Sequence, residues 1–332
     1  FSYREKVRIF MVWCDEKQSI YMWRGAYPEA FMSIWTRGDF SKKVMTDNYR
    51  SCQQIQNYSN LLCDETRPLY KEVNDLSSVV MLCTTTANWV SAVVPYLDKN
   101  KRCALLRYSN ANSEIGAKEL TEKGVEFTYV PQTPISDITT EAAWLYNAIA
   151  KHFILPTYSA YDLRDENPNE VVGNKHILQT IKISLKHLDE YLKQADKDSF
   201  AKEVEQLANS LGYSTKDEHC KKVYETICDK KFHPAFNIDG LQRIAITFHS
   251  SKGLEFDQVI LFVSDYTLET EQDICNHYVA ATRAKSKLIL VHISDDGRAA
   301  IYVKNIKKIL AESNLTMRKI ATVVDGINGS KQ

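Results

Sequence analysis

A chain of 332 residues with 44% hydrophobic content is long enough for two domains with buried cores and gives no sign of disorder. Lysine plus arginine and aspartate plus glutamate are each 42, so the formal net charge is zero. That weighs against a uniformly basic nucleic-acid binder and leaves any such contact to a local groove helped by base stacking. No apolar run approaches the roughly 18 residues of a transmembrane helix, and the opening FSYREKVRIF has no signal-peptide layout. Eight cysteines without a C-x-x-C pair read as reduced, small hydrophobes, and a cytoplasmic location is expected. His219, Cys220, Cys228 and His233 match the spacing of no familiar structural zinc site, and no metal is expected there.

In chain order, VRIFMVW over 7–13 reads as a buried strand, and a helix follows over 29–35. β-like runs come at 43–46, 79–84, 103–108 and 126–130, with helical patterns at 52–63 and 113–123, the latter stopped by Gly124. Strands alternating with helices argue for a parallel sheet covered on both faces. After Pro156 the chain is charged, lysine-rich and helical in period, and ILQTIKISLKHLDEYL places Ile177, Ile181, Leu185, Leu188 and Leu192 near one face. Strand patterns return at Arg243, so 161–238 reads as a helical insertion in an α/β domain formed by 41–160 and 239–332. Residues 1–40 are left as the tail of a preceding domain.

The last segment carries most of the chemistry. Apolar runs at 244–248 and 259–263 are joined by His249-Ser250-Ser251-Lys252-Gly253-Leu254-Glu255, and a helix then opens onto Thr282-Arg283-Ala284-Lys285. A hydroxyl, an imidazole, a lysine, a carboxylate and an arginine around strand ends suit phosphates and a ribose better than acyl chemistry.

GLQRIAITFHSSKGLEFDQVILFVSDY (240–266) and EQDICNHYVAATRAKSKLILV (271–291) resemble motifs V and VI of the UvrD-like superfamily 1 DNA helicases. DEKQSIYMWRGA (15–26) resembles motif III, and Asp47-Asn48-Tyr49-Arg50-Ser51 resembles motif IV. Within that superfamily, FSKKVMTDNYRSCQQIQNYSNLLCDET (40–66), Val130-Pro131-Gln132-Thr133-Pro134 and HYVAATRAKSKLI are similar to the GajB family, the helicase-like subunits of Gabija anti-phage systems. The resemblance implies an α/β fold: a RecA-like parallel-sheet domain, the second motor domain, with a small helical insertion.

It also implies roles. Gln18 would sense the γ-phosphate, Tyr49 would stack on the adenine, Arg50 and Arg283 would meet the γ-phosphate, and Glu255 would accept from the ribose. Tyr21 and Trp23 would stack on bases, Arg24 would contact phosphate, and Thr247, His249 and Ser250 would bind the DNA backbone. Taken alone, each has a plainer reading: core aromatics, surface pairs or solvated loop groups. Arg107 matches a family segment of the second domain whose implied role is largely structural, with a DNA contact as the alternative. Val12-Trp13-Cys14-Asp15 departs from the family's glycine-containing approach to motif III.

No G-x-x-x-x-G-K-[ST] loop is found, so the chain is expected to be the C-terminal part of a longer protein and inactive alone. ATP and Mg²⁺ would be held mainly by the first domain. The implied partners are single-stranded or partly unwound DNA and the OLD-family nuclease GajA. The rival readings are a non-catalytic docking subunit of a nuclease complex and an ordinary repair helicase.

Overall fold

The computed structural model describes residue 18 and residues 28–43, 48–62, 69–70, 77–168 and 175–325. The strand expected at 7–13 and the one at 43–46, all but Lys43, lie outside them. The chain divides into two compact units, Phe1–Phe127 with Ala245–Gln332, and Thr128–Ile244.

Among the described residues the strands form a seven-stranded parallel sheet. Its strands are β1 (Val79–Thr84), β2 (Cys103–Arg107), β3 (Thr128–Tyr129), β4 (Arg243–Thr247), β5 (Phe256–Phe262), β6 (Ala284–Ile293) and β7 (Thr322–Asp325). They lie in the order β3-β4-β2-β5-β6-β1-β7. The central strands are apolar without alternation because both faces are covered: Val259, Ile260 and Leu261 of β5 and Leu288 to Val291 of β6 are fully buried. β5 runs parallel to β6 with Val259 opposite Leu288, and a register shift falls between Phe256 and Gln258, beside Glu255. β6 in turn pairs with β1, Val79 opposite Leu288.

Helices of the first unit are α1 (Pro28–Trp35), α2 (Gln53–Asn60), α3 (Trp89–Val93) and α4 (Asn110–Glu122), followed near the C-terminus by α10 (Glu271–Ala281), α11 (Gly297–Glu312) and α12 (Met317–Ile320). Their ends follow local chemistry. Ser109 caps α4 by accepting from the Asn112 amide at 3.2 Å, and Thr270 caps α10 through the Asp273 amide at 3.1 Å. α4 stops at Gly124, whose φ of 83° is the left-handed conformation that favours glycine.

The second unit is helical: α5 (Ala143–Ile154), α6 (Ala160–Asp165), α7 (Lys175–Lys193), α8 (Lys197–Ser210) and α9 (Asp217–Cys228). Ile181, Leu185 and Leu188 of the expected α7 stripe are buried, and Ile177 and Leu192 pack half-buried on the same core. This unit begins at Thr128 rather than at 161. The difference is α5, whose Leu145, Tyr146, Ala148 and Ile149 are fully buried in one core with Leu188, Phe200 and Val223. That segment therefore joins the bundle, where its apolar surface is covered.

Candidate functional site

Three stretches of the first unit are laced together at the start of β5 and β6. Asn48 accepts the Arg50 and Ser51 amides on its side-chain oxygen at 2.9 and 3.1 Å, an Asx turn that presents Tyr49 and Arg50. The Gln56 amide group donates to the carbonyls of Asn48 and Ser51, so the first turn of α2 holds the loop from behind. Ser51 Oγ donates to the Ala284 carbonyl at 2.6 Å, the Cys52 amide donates to the Lys285 carbonyl at 2.9 Å, and the Phe256 amide donates to the Arg283 carbonyl at 2.9 Å.

The side chains meet where the backbones do. Arg50 Nε lies 2.5 Å from Glu255 Oε1, and Lys285 Nζ lies 4.0 Å from Glu255 Oε2. All three side chains are more than a third exposed, so the charges are paired yet open to solvent. Tyr49 is 89% exposed, a ring with no packing of its own beside them. A planar guanidinium fork, a second cation, a carboxylate and an exposed aromatic ring have the chemistry to pair with a phosphate, accept from hydroxyls and stack on a ring.

Arg283 stands differently. It is only 2% exposed. Nε donates to the Val279 carbonyl at 3.0 Å, Nη1 to the Leu254 carbonyl at 3.3 Å, and Nη2 to Thr282 Oγ1 at 3.2 Å. A cation on the last carbonyls of α10 is favoured by the helix dipole. As placed, the side chain bonds inward instead of pointing out beside Arg50, which the sequence alone did not indicate.

Thr247 ends β4 and Phe256 opens β5, and because the strands are parallel the loop between them crosses from the C-terminal edge of the sheet to the N-terminal edge. His249 and Ser250 lie at its first end and Glu255 at its last. The loop is compact: Ser250 N–H donates to Thr247 Oγ1, Thr247 Oγ1 donates to Ser250 Oγ at 3.0 Å, Ser251 Oγ donates to the Phe248 carbonyl, and Gly253 has a φ of 88°. Lys252 Nζ donates to the main-chain carbonyl of Gln18 at 2.7 Å, which brings Gln18 to this loop. Tyr21, Trp23 and Arg24 lie outside the described residues.

At the same edge the end of β2 adds a fixed support. Arg107 makes a two-pronged ion pair with Asp265, Nε to Oδ2 at 2.7 Å and Nη2 to Oδ1 at 3.2 Å, with its guanidinium 3.8 Å from the Phe262 ring centre. Asp265 also accepts the Tyr108 amide at 3.1 Å, and the Phe248 amide donates to the Arg107 carbonyl at 3.0 Å. The Tyr108 ring, 48% exposed, is thereby held against Phe248 and 6.0 Å from His249. Sequence reasoning did not single out Tyr108, Lys285 or Asn48, although Lys285 and Asn48 stand inside the quoted motif strings. Among the described residues no cluster of three or more His, Cys, Asp or Glu is arranged to hold a metal.

Residues 244–291, the stretch holding Thr247, His249, Ser250, Glu255, Arg283 and Lys285, match the family of UvrD-like helicase C-terminal domains. The chain is similar to that family over this stretch. Over 320 residues, 93% of its length, it is 36% identical to Gabija protein GajB from Bacillus cereus strain VD045. It spans 62% of that relative's length. Among solved structures, the C-terminal domain of a possible DNA helicase from Lactobacillus plantarum WCFS1 is similar at 16% identity and a TM-score of 0.34, covering 77% of this chain and 94% of that one. The UvrD-like match spans the loop that joins the two edges of the sheet, and the GajB similarity extends through α2, the Asx turn and the helical unit.

Proposed function

We propose that this UvrD-like chain is the nucleotide- and DNA-responsive part of an ATP-dependent DNA helicase or translocase subunit, cytoplasmic and acting in anti-phage defence beside an OLD-family nuclease of the GajA type. The observation that supports it is the meeting of Arg50 with Glu255, while Ser51 and Cys52 are bonded to Ala284 and Lys285. Three segments far apart in sequence converge on a donor set that fits a nucleotide.

ATP with Mg²⁺ supplies a transferable phosphoryl group and the energy of its hydrolysis when bound, chiefly to a further domain with a phosphate-binding loop. On this chain Tyr49 would hold the base, Glu255 the ribose hydroxyls, and Arg50 the terminal phosphate, where permanent charge offsets charge that develops during transfer. Gln18 and Arg283 would complete the phosphate contacts. Arg283 has to leave its carbonyl partners to do so, and the ion pair between Arg50 and Glu255 has to open. Thr247, His249 and Ser250, with Tyr21, Trp23 and Arg24, would bind single-stranded DNA through backbone contacts and stacking. The loop 248–255 then joins a DNA contact to the ribose contact in one short segment.

The second reading is a non-catalytic helicase-like subunit that binds DNA and docks the nuclease. The inward bonding of Arg283 favours it. ATP hydrolysis by the full-length protein, measured with and without single-stranded DNA, separates the two. Turnover that rises at least tenfold with DNA is the expected result; DNA binding with no turnover at saturating ATP and Mg²⁺ selects the docking reading.

A further inference from the structure

α2 is fastened to the segment carrying Arg283 at two places. The first is just beyond Arg283, where Ser51 and Cys52 bond to the carbonyls of Ala284 and Lys285. The second lies further along α2, where Tyr58 Oη is 2.5 Å from Nε2 of His277 on α10 and 2.6 Å from Tyr302 Oη on α11. Tyr58, His277 and Tyr302 are all fully buried, with the imidazole edge-on to both tyrosine rings. The two fastenings therefore flank Arg283 on either side.

Apolar packing alone does not call for this chain. Among the described residues His277 Nδ1 has no hydrogen-bond partner, and burial holds the imidazole neutral, its pKa down to about 3. If the hydroxyl protons point from Tyr302 through Tyr58 to His277, the Nδ1 proton is stranded. If they point the other way, the Tyr302 proton is. Either direction leaves a buried donor unsatisfied, a cost to stability that a phenylalanine or leucine would not incur. What the polar chain offers in return is direction: hydrogen bonds fix one register of α2 against α10, whereas apolar side chains tolerate sliding.

We propose that His277 is a positioning residue which, through Tyr58, sets where Arg50 stands relative to Arg283. The inference rests on the reading of those arginines as phosphate contacts. Its mechanism is mechanical: α2 carries the Arg50 loop at its start, α10 carries Arg283 past its end, and the buried bond holds the two helices in one alignment.

The test uses the full-length protein and the variants Tyr58→Phe, His277→Leu and His277→Gln. Hydrogen exchange at the Cys52 amide reads the alignment directly, with the Leu82 amide of β1 reporting global stability. The expected result is exchange at Cys52 about fivefold faster or more in Tyr58→Phe and His277→Leu, Leu82 within about twofold of wild type, and Cys52 returning towards wild type in His277→Gln. DNA-stimulated ATP hydrolysis is expected to lose about tenfold in kcat with KM for ATP within about twofold. Unchanged exchange at Cys52, equal acceleration at Leu82, or full kcat despite a loosened Cys52 each overturns the proposal. A wild type without ATP hydrolysis defeats the functional reading instead, and the exchange data still decide the alignment. If His277→Leu does not fold, Tyr58→Phe, which deletes a single oxygen, carries the same measurements.

Discussion

The two edges of the sheet treat charge in opposite ways. At the C-terminal edge, Arg107 and Asp265 are 13% and 7% exposed, bonded in two prongs, and further engaged by the Phe262 ring and the Tyr108 amide. At the N-terminal edge, Arg50 and Glu255 are 39% and 36% exposed and hold each other by one contact. A buried ion pair is costly to break, because removing one partner strands the other charge away from water. A half-exposed pair is easily exchanged for water or a ligand. The first edge is built as a fixed support for the loop that follows β4, and the second keeps its charges available.

The largest expected effect tests the support. Arg107→Ala should cost about 3–5 kcal/mol of folding stability, the penalty for an uncompensated buried carboxylate. Denaturant titration checks it, and a loss under about 1 kcal/mol would mean that water reaches Asp265.

Next comes the acid response of the buried cluster behind the second edge. The folded protein protonates His277 only near pH 3, whereas the unfolded chain does so near 6.5. Between those values the unfolded state holds one more proton, so stability falls as the pH is lowered, by about 1.4 kcal/mol per pH unit from this residue. Above about 6.5 the residue contributes no slope. His277→Leu should flatten the dependence between pH 6 and 4 by about that amount; parallel curves for wild type and variant would show that the imidazole is not held neutral.

The smallest stability effect belongs to the open edge. Arg50→Ala and Glu255→Gln should each change folding stability by less than about 1 kcal/mol, since their pairing is solvent-screened. Thermal unfolding provides the check, and a loss above about 2 kcal/mol would place the pair among the structural ones.

Much of the sheet was legible because its strands are buried on both faces and therefore read as unbroken apolar runs. The run at 79–84 coincides with β1, and the pattern at 113–123 overlaps α4, which ends at Glu122 just before Gly124. α5 was not read, because AWLYNAIAKHFI is apolar over much of its circumference and so lacks the one-sided stripe that betrayed α7. At the site, residue types and motif order named Arg50 and Glu255, but their contact depends on the Asx turn at Asn48 and on β6 receiving Ser51 and Cys52, which no local pattern records. The inward turn of Arg283 was hidden for the same reason: the motif fixes the residue, while the carbonyls of Val279 and Leu254 fix its direction.

DNA-stimulated ATP hydrolysis by the full-length Arg50→Ala variant, measured beside its unfolding temperature, goes to the heart of the functional reading. Arg50 is the cleaner probe than Arg283, whose removal would also empty a buried, bonded position. A fall in kcat of at least about a hundredfold with an unchanged unfolding temperature is the predicted result. Turnover within twofold of wild type in that folded variant would contradict the assignment of the open edge to nucleotide.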